Sequence, residues 1–133
     1  MNSDIIYPES GSMYKLVILI ENIENWTAFD DLWPQFLHEA ESMPGLRWET
    51  TSRMDELLYG EREIGLMHEL YFDSRQQAQQ AMASPPGQAA GKLLQALTAG
   101  KMTLLFADHK EDDLENIRKF KAQKETKASA DGE

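Results

Sequence analysis

A histidine and a glutamate stand side by side in the stretch MHELYFDS, residues 67–74, and both side chains can transfer protons. The stretch has the composition of a β-strand, in which successive side chains point to opposite faces of the sheet. His68 therefore shares a face with Leu70, whereas Glu69 shares the other face with Tyr71. The two sequence neighbours cannot form a side-by-side acid–base pair, so each needs partners from other parts of the chain.

Each of these side chains allows a structural and a catalytic interpretation. An aromatic residue just before the next helix cap indicates that helices cover the His68 face, where a histidine bonds to a backbone carbonyl or a carboxylate. Glu69 and Tyr71 then point to the opposite face. A carboxylate in such a place either has a raised pKa and acts as a general acid or base, or pairs with Arg47 or Arg53 across neighbouring strands. The sequence favours structural roles but leaves proton transfer open.

Composition restricts the remaining chemistry. The chain of 133 residues contains no cysteine, which excludes thiolate nucleophiles and cysteine-bound metals. Its three histidines lack metal-ligand spacing and no glycine-rich phosphate loop occurs, so we expect neither a metal nor a cofactor. A net charge of −10 argues against nucleic acid and anionic membranes as partners. No apolar run is long enough for a bilayer and the first residues lack a signal-peptide pattern, which predicts a cytoplasmic protein.

Strand and helix patterns alternate along the chain. Strands are predicted at residues 14–21, 46–54, 64–72 and 101–108. A first helix is predicted from a cap at Asn25 to Pro44, with a kink or a restart at Pro34. A second helix follows Asp73 or Ser74, and the SPPG motif breaks and restarts it.

This order predicts an α+β fold of the ferredoxin-like βαββαβ type, with a four-stranded antiparallel sheet and the helices on one face. The strand at 14–21 is apolar on both sides, so the other sheet face would expose a larger apolar patch than soluble monomers usually show. We therefore expect a homodimer that covers the open sheet face. The domain is predicted at 13–108, between flexible tails at 1–12 and 121–133. Residues 109–120 form either a short helical extension or a frayed charged segment.

Several short stretches, taken in order, resemble the EthD family of dimeric α+β barrel proteins. They are MYKLVILIE, FDDLW, MPGLR, HELYFDS, AMASPPGQAAG and MTLLFADH, and they span about residues 13–110. The resemblance implies a ferredoxin-like subunit whose sheet packs against a partner's sheet to enclose a barrel. It also implies a small cavity in that barrel or between sheet and helices, and an association with the oxidative breakdown of ethers and other small organic compounds. Such a resemblance predicts shape better than chemistry.

Two positions depart from the pattern of the resembled family. Many relatives carry a histidine in the first helix at the place of Leu37, whereas His38 lies one residue later and is turned by about 100° around the helix axis. His38 is a candidate catalytic residue if the helix rotates it into register. An aspartate often found in the second helix is replaced here by Gly91 and Lys92.

The candidate site combines proton-transfer residues with apolar ones. The catalytic candidates are Glu69, Tyr71, His68 and His38. The ligand-binding candidates are Trp33, Trp48, Met67 and Tyr71, although aromatic residues at these spacings also suit a core. We expect a small homodimeric protein that binds a small apolar or aromatic organic molecule as an accessory to oxidative catabolism. The alternative is a cofactor-independent oxygenase-like or isomerase-like enzyme, and the sequence leaves open whether the chain is an enzyme.

Overall fold

A computed structural model describes residues 12–111, and it confirms the predicted order of strands and helices. The elements are β1 (Ser12–Glu21), α1 (Trp26–Glu41), β2 (Trp48–Arg53), β3 (Ile64–Phe72), α2 (Arg75–Ala83), α3 (Pro85–Thr98) and β4 (Met102–Lys110). The second helical region is divided at Ser84, as the SPPG motif predicts. The architecture is the ferredoxin-like α+β fold with one additional helix break.

The four strands form a single antiparallel sheet in the order β2-β3-β1-β4. In the central row of this sheet, Thr51 of β2 lies opposite His68 of β3. His68 lies opposite Ile18 of β1, which in turn lies opposite Leu104 of β4. This register fixes which side chains surround His68 on the inner face.

All three helices pack on one face of the sheet, and the hydrophobic core lies between them and the strands. The buried apolar side chains of this layer are Leu16, Ile18, Ile20, Leu66, Leu70 and Phe72 from the strands, and Phe29, Phe36, Ala40, Ala78, Ala81, Ala90 and Leu94 from the helices. The strands supply every second residue and the helices every third or fourth, as their periods require. Residues 12–111 place no helix on the opposite face.

Helix α1 is continuous through its proline. It begins after Asn25, whose side-chain oxygen accepts a hydrogen bond from the backbone N–H of Ala28 at 3.1 Å. It runs to Glu41 through Pro34, so the predicted restart does not occur. Pro34 is exposed, and water can therefore bond the carbonyl of Asp30 that loses its helical donor. The whole inner face of α1 stays in register with the sheet.

Ser84 makes the corner between α2 and α3. Its hydroxyl donates to the carbonyl of Ala81 at 2.5 Å and accepts from the N–H of Gly87 at 3.2 Å. One side chain thus ends the first helix and caps the second. Helix α3 ends where Ala99 and Gly100 adopt left-handed backbone conformations, with φ of 52° and 79°.

The connection between β2 and β3 is exposed along residues 54–63. Leu58 and Tyr59 are 87% and 97% exposed, so the loop does not close over a buried cavity in this conformation. An open cleft of about 430 Å³ lies at the base of the loop, where Asn22 and Arg62 contribute to its walls.

The second face of the sheet is less bare than the sequence predicts. Val17, Glu69 and Tyr71 at its centre are buried, whereas Leu105 on β4 is 48% exposed. Leu104, which points to the helix side of the same strand, is 41% exposed. The exposed apolar surface is therefore concentrated along β4 rather than spread over the whole face.

β4 continues to Lys110, so the first two residues of the predicted extension at 109–120 belong to the strand. Of the rest of that extension, the structure describes only Glu111. Of the predicted tails, it describes only Ser12, and their other residues lie outside the described part of the chain. Between Ser12 and Glu111, no helix is long and apolar enough to cross a membrane.

We expect Gly87→Ala to lower the free energy of unfolding by about 1–3 kcal/mol, because the added methyl group would overlap the backbone carbonyl oxygens of Ala81 and Met82. Gly91→Ala is a matched control in the same helix. Nothing lies within 4 Å of its added methyl group, so this change should raise stability by about 0.5–1 kcal/mol. Urea denaturation measures both, and equal effects would contradict the tight packing at the α2–α3 corner.

Candidate functional site

His68 lies beneath the helices, as strand alternation predicts, and its side chain is 0% exposed. The ring of Trp33 meets it edge-on with 5.2 Å between ring centroids, and that of Phe36 does so at 5.8 Å. An imidazole in such an apolar setting is stable only if its nitrogens are hydrogen-bonded.

Both ring nitrogens of His68 find polar partners on β2. Nε2 lies 2.8 Å from Oε1 of Glu49, and Nδ1 lies 2.7 Å from Oγ1 of Thr51. An ionised carboxylate can only accept hydrogen bonds, so Nε2 carries the hydrogen and donates it to Glu49. Nδ1 then accepts from the hydroxyl of Thr51. The imidazole is held in one tautomer, with its basic nitrogen directed at Thr51.

A second carboxylate extends this arrangement to the protein surface. Burial raises the pKa of Glu49, but hydrogen bonds with His68 and Glu41 and the nearby imidazole outweigh burial, so the pKa of Glu49 lies below its ordinary value. The hydrogen bond with Glu49 and its negative charge raise the pKa of Glu41, with burial adding to this and His38 and His68 opposing it. The two carboxyl groups are therefore coupled, and Glu49 is the more acidic of the two. We call His68, Thr51, Glu49 and Glu41 the His68 cluster.

Glu69 lies on the opposite face, and its partner differs from the predicted one. It forms a salt bridge with Lys15 of β1, and Oε1 accepts a hydrogen bond of 3.3 Å from the hydroxyl of Thr50. The predicted pairing with Arg47 or Arg53 is wrong, because Glu69 pairs instead with Lys15, which lies diagonally across from it on β1. With both oxygens engaged by neighbours, Glu69 is a structural ion pair on a largely buried surface rather than a free carboxylate.

The two arginines bind carboxylates elsewhere. Arg47 contacts both oxygens of Asp73, with Nη1 at 2.9 Å and 3.0 Å from them. Arg53 donates to Oδ1 of Asp30 at 3.1 Å and lies over the ring of Trp26 at 4.4 Å. Because strand alternation sends Arg47 and Arg53 to the side opposite Trp48, neither can reach Glu69.

Two aromatic side chains and one lysine surround the ring of Tyr71 on the second face. Trp48 stacks on the ring of Tyr71 with 5.1 Å between centroids, and His109 of β4 meets it edge-on at 4.9 Å. The ammonium group of Lys15 lies 5.4 Å from the centre of the same ring. Met67 is half-buried on this face, four residues from Tyr71 along β3, with Glu69 between them. We call Trp48, Tyr71, His109 and Lys15 the Tyr71 cluster.

The sheet separates the predicted ligand-binding residues into two groups. Trp48, Met67 and Tyr71 share the second face, whereas Trp33 lies on the helix side, stacked between Phe29 and Phe36 at 5.0 Å and 4.8 Å. Trp33 therefore cannot line one cavity with the other three within a subunit. Its stacking makes it chiefly a wall of the core next to His68.

The catalytic candidates are divided in the same way. Glu69 and Tyr71 lie on the second face, and His68 lies on the inner face. His38 is exposed on α1, where its backbone carbonyl accepts a hydrogen bond from Ser42. It contributes only a long-range charge to Glu41 and does not contact the imidazole of His68. The one-residue displacement from Leu37 thus leaves His38 at the surface.

Sequence reasoning missed Thr51, Glu49, Glu41 and Lys15. Alternation in β2 puts Glu49 and Thr51 on the face opposite Trp48, but only the pairing of β2 with β3 brings them to His68. Within residues 12–111, no three histidine, aspartate or glutamate side chains are grouped to hold a metal ion.

Comparison with solved structures finds proteins with a similar fold. An ethyl tert-butyl ether d (EthD) family protein from Bacillus halodurans is 31% identical, with a TM-score of 0.66, and the match covers 76% of this chain and 99% of that one. A dimeric ferredoxin-like protein of unknown function from Jannaschia sp. is 18% identical, with a TM-score of 0.55 and coverage of 73% and 98%. SnoaB of Streptomyces nogalater, a cofactor-independent oxygenase, is 11% identical, with a TM-score of 0.53 and coverage of 77% and 95%. The last two show the fold alone.

Comparison of sequences adds one similar protein. An uncharacterized 11.0 kDa protein from the thcB-thcC intergenic region of Rhodococcus erythropolis is 28% identical over 97 residues, which are 72% of this chain and 94% of that protein. No family model matches the chain.

We expect Glu49→Gln to destabilise the protein by about 1–3 kcal/mol at neutral pH, because the buried ring of His68 loses its ionised partner. The pKa of Glu49 is lowered on folding, so its contribution is complete above the ordinary glutamate pKa of 4.5 and is lost as the pH falls further. The difference between wild type and variant should therefore shrink in acid. Thermal unfolding as a function of pH measures it, and a difference independent of pH would contradict the ionised state of Glu49.

Proposed function

Because the chain belongs to the EthD family and has a ferredoxin-like fold, we propose that it is a small homodimeric protein that binds a small apolar or aromatic organic molecule. The observation that carries this proposal is the Tyr71 cluster on the helix-free face. Stacked and edge-on rings form a rigid wall with apolar faces, and such walls are typical of sites for flat organic ligands.

The charges near this wall favour a ligand without net charge. Lys15 and Glu69 neutralise each other beside the rings, and His109 bonds Oε2 of Glu111 at 2.7 Å. An ionic ligand would compete with the largely buried pair of Lys15 and Glu69, and breaking that pair is costly. A neutral aromatic molecule can instead stack on Trp48 and leave the ion pairs in place.

A homodimer formed through the second sheet face would enclose this wall. Two similar structures, from Jannaschia sp. and from Bacteroides fragilis, are of dimeric proteins with the same fold. In this chain Leu105 is 48% exposed on β4, on the same face as the Tyr71 cluster. Covering this side chain is a favourable contribution to association.

We place the protein as an accessory in the oxidative breakdown of small organic compounds. Its relative from Bacillus halodurans belongs to a family named after ethyl tert-butyl ether, a small apolar molecule. Binding such a compound against apolar rings needs no redox group from the protein itself, which agrees with a binding function beside another enzyme.

Removal of the aromatic wall tests the ligand site. Trp48→Ala should weaken the binding of phenylnaphthylamine, a neutral fluorescent probe, by about tenfold, because the ligand loses a stacking surface. Ser52→Ala on the same strand and face is the matched control and should leave binding unchanged. Fluorescence titration measures both dissociation constants. If both variants bind like wild type, the probe does not use this face and the proposed ligand site is wrong.

A pair of adjacent substitutions tests the dimer interface. Leu105→Glu should give a monomer, because a charge would be buried between two sheets, whereas Leu104→Glu on the opposite side of β4 should leave a dimer. Both side chains are partly exposed in the single chain, so neither change disrupts the core. Native mass spectrometry reports the subunit number. Two dimeric variants, or a wild-type monomer, would exclude association through this face.

The His68 cluster favours a second candidate function, a cofactor-independent oxygenase-like or isomerase-like enzyme. Glu49 bonds the imidazole of His68 and fixes its orientation, as a carboxylate does for a general base. SnoaB, a cofactor-independent oxygenase, shares the fold. Among the predicted catalytic residues, the geometry favours His68 over Glu69 and Tyr71 for proton transfer, because Glu69 is engaged by Lys15 and Thr50.

A further inference from the structure

The connection between β2 and β3 forms a wall of the open cleft at one end of the sheet. The cleft is lined by Asn22, which follows β1, and by residues 54–57 and 62–64. Its volume of about 430 Å³ falls within the range of about 300–1,000 Å³ that is typical of small-molecule sites. We call this opening the loop cleft. None of its lining residues belongs to the His68 cluster or to the Tyr71 cluster.

The backbone of the sheet fixes the base of the loop cleft. The N–H of Asn22 donates to the carbonyl of Glu63 at 3.3 Å, and the N–H of Met54 donates to the carbonyl of Gly65 at 2.9 Å. A methyl group added at Gly65 would lie 2.8 Å from Oδ1 of Asn22 and 2.5 Å from the ring of Trp26, so both side chains pack directly on the strand backbone. The cleft is therefore formed before any ligand arrives, which lowers the entropy cost of binding.

Part of the lining is apolar and uncovered. Leu57 and Met54 are 52% and 40% exposed, and the half-buried Ile64 belongs to the same lining. Apolar side chains gathered at a concave surface are stabilised when a ligand removes them from water. This part of the cleft favours a ligand with an apolar body.

The remainder of the lining is mainly acidic. The carboxylates of the loop cleft and of a smaller opening that shares residues with it are Glu21, Asp55, Glu56, Glu61 and Glu63. The one cation of both linings is Arg62, whose Nη2 donates to Oγ1 of Thr103 at 3.4 Å. Within residues 12–111, none of the five carboxylates forms a salt bridge. A cation can therefore bind here without displacing an internal partner, whereas an anion is repelled.

We propose that the loop cleft binds a small organic cation, a protonated amine that carries an apolar body. The apolar body packs on Leu57, Met54 and Ile64. The ammonium group lies near the carboxylates of Asp55 and Glu63, which no other cation of the described chain occupies. Charge and shape thus select the ligand together, since an apolar molecule without charge gains only the first contact and an inorganic cation only the second.

This site is separate from the ligand site proposed on the Tyr71 cluster. Ile64 and Tyr71 lie seven residues apart near opposite ends of β3, which corresponds to about 23 Å along the strand. The ion pairs beside Tyr71 favour an uncharged ligand, whereas the unpaired carboxylates of the loop cleft favour a cation. The inference goes beyond the proposed function and does not depend on it.

The first test compares three probes with the same apolar body. At neutral pH, phenylbutylamine is a cation, phenylbutanol is uncharged and phenylbutyrate is an anion. Isothermal titration calorimetry should show that the amine binds about tenfold more tightly than the alcohol and that the carboxylate does not bind measurably. Higher ionic strength should reduce the advantage of the amine, because salt screens exposed charges. Equal affinities for the amine and the alcohol, or no binding of the amine, would overturn the proposal.

A second test separates the loop cleft from the overall negative charge of the chain. The double variant Asp55→Asn, Glu63→Gln should weaken the binding of phenylbutylamine about tenfold. The matched control, Asp31→Asn with Asp108→Asn, removes two charges from exposed positions outside the cleft and should leave binding unchanged. Equal weakening in both double variants would show attraction by net charge alone and overturn the site. If only Trp48→Ala abolishes binding, the amine binds on the Tyr71 cluster and the cleft proposal fails.

Nuclear magnetic resonance locates the probe without any substitution. Addition of phenylbutylamine should shift the backbone amide signals of Asn22, Leu57 and Arg62 and leave those of Trp48 and Tyr71 in place. The reverse pattern would put the amine on the second sheet face and contradict the assignment of the loop cleft, whatever the affinity.

Discussion

The complete burial of His68 is the constraint on which the arrangement of β2 and α1 depends. A polar ring with no water contact costs free energy unless both nitrogens are bonded. Glu49 and Thr51 meet this need only while β2 keeps its present register with β3, since a shift of one residue would turn both to the other face. The rings of α1 complete the enclosure. One histidine therefore links the edge strand, the central strand and the first helix.

Most of the fold could be predicted from the sequence because its elements have clear periods and clear boundaries. The caps at Asn25 and Ser74, the break at SPPG and the alternation in β1 and β3 each follow from local chemistry. Of the kink or restart predicted at Pro34, the restart was wrong, because an exposed proline loses one hydrogen bond that water can replace. The tertiary packing of the helix outweighed the low helix propensity of proline.

The candidate site was less predictable, because its partners come from different elements. Alternation sent His68 and Glu69 to separate faces, but no local pattern identifies Lys15, on a strand more than fifty positions away in the sequence, as the partner of Glu69. Arg47 and Arg53 were plausible partners because they belong to the predicted neighbouring strand, but their side chains point to the other face of the sheet. Cross-strand register decides these contacts, and register is fixed by the whole sheet rather than by any one segment.

The sheet also divides the chemistry of the subunit into two compartments. The rings around Tyr71 face one side, and the imidazole of His68 faces the other, so a molecule bound on one side does not reach the acid–base groups of the other within the same chain. Each side can therefore change in sequence without disturbing the other. This separation suits a fold that carries unrelated activities on a common framework.

β4 forms one edge of the sheet in the described part of the chain, and it carries exposed leucines on both of its sides. A long apolar edge of this kind can pair with any extended segment that it meets, including those of unfolded chains. If a partner subunit covers the face that carries Leu105, the burial of this side chain depends on protein concentration. Dilution to the monomer would then expose Leu105 beside an edge that is already open to pairing, so aggregation through β4 would become easier.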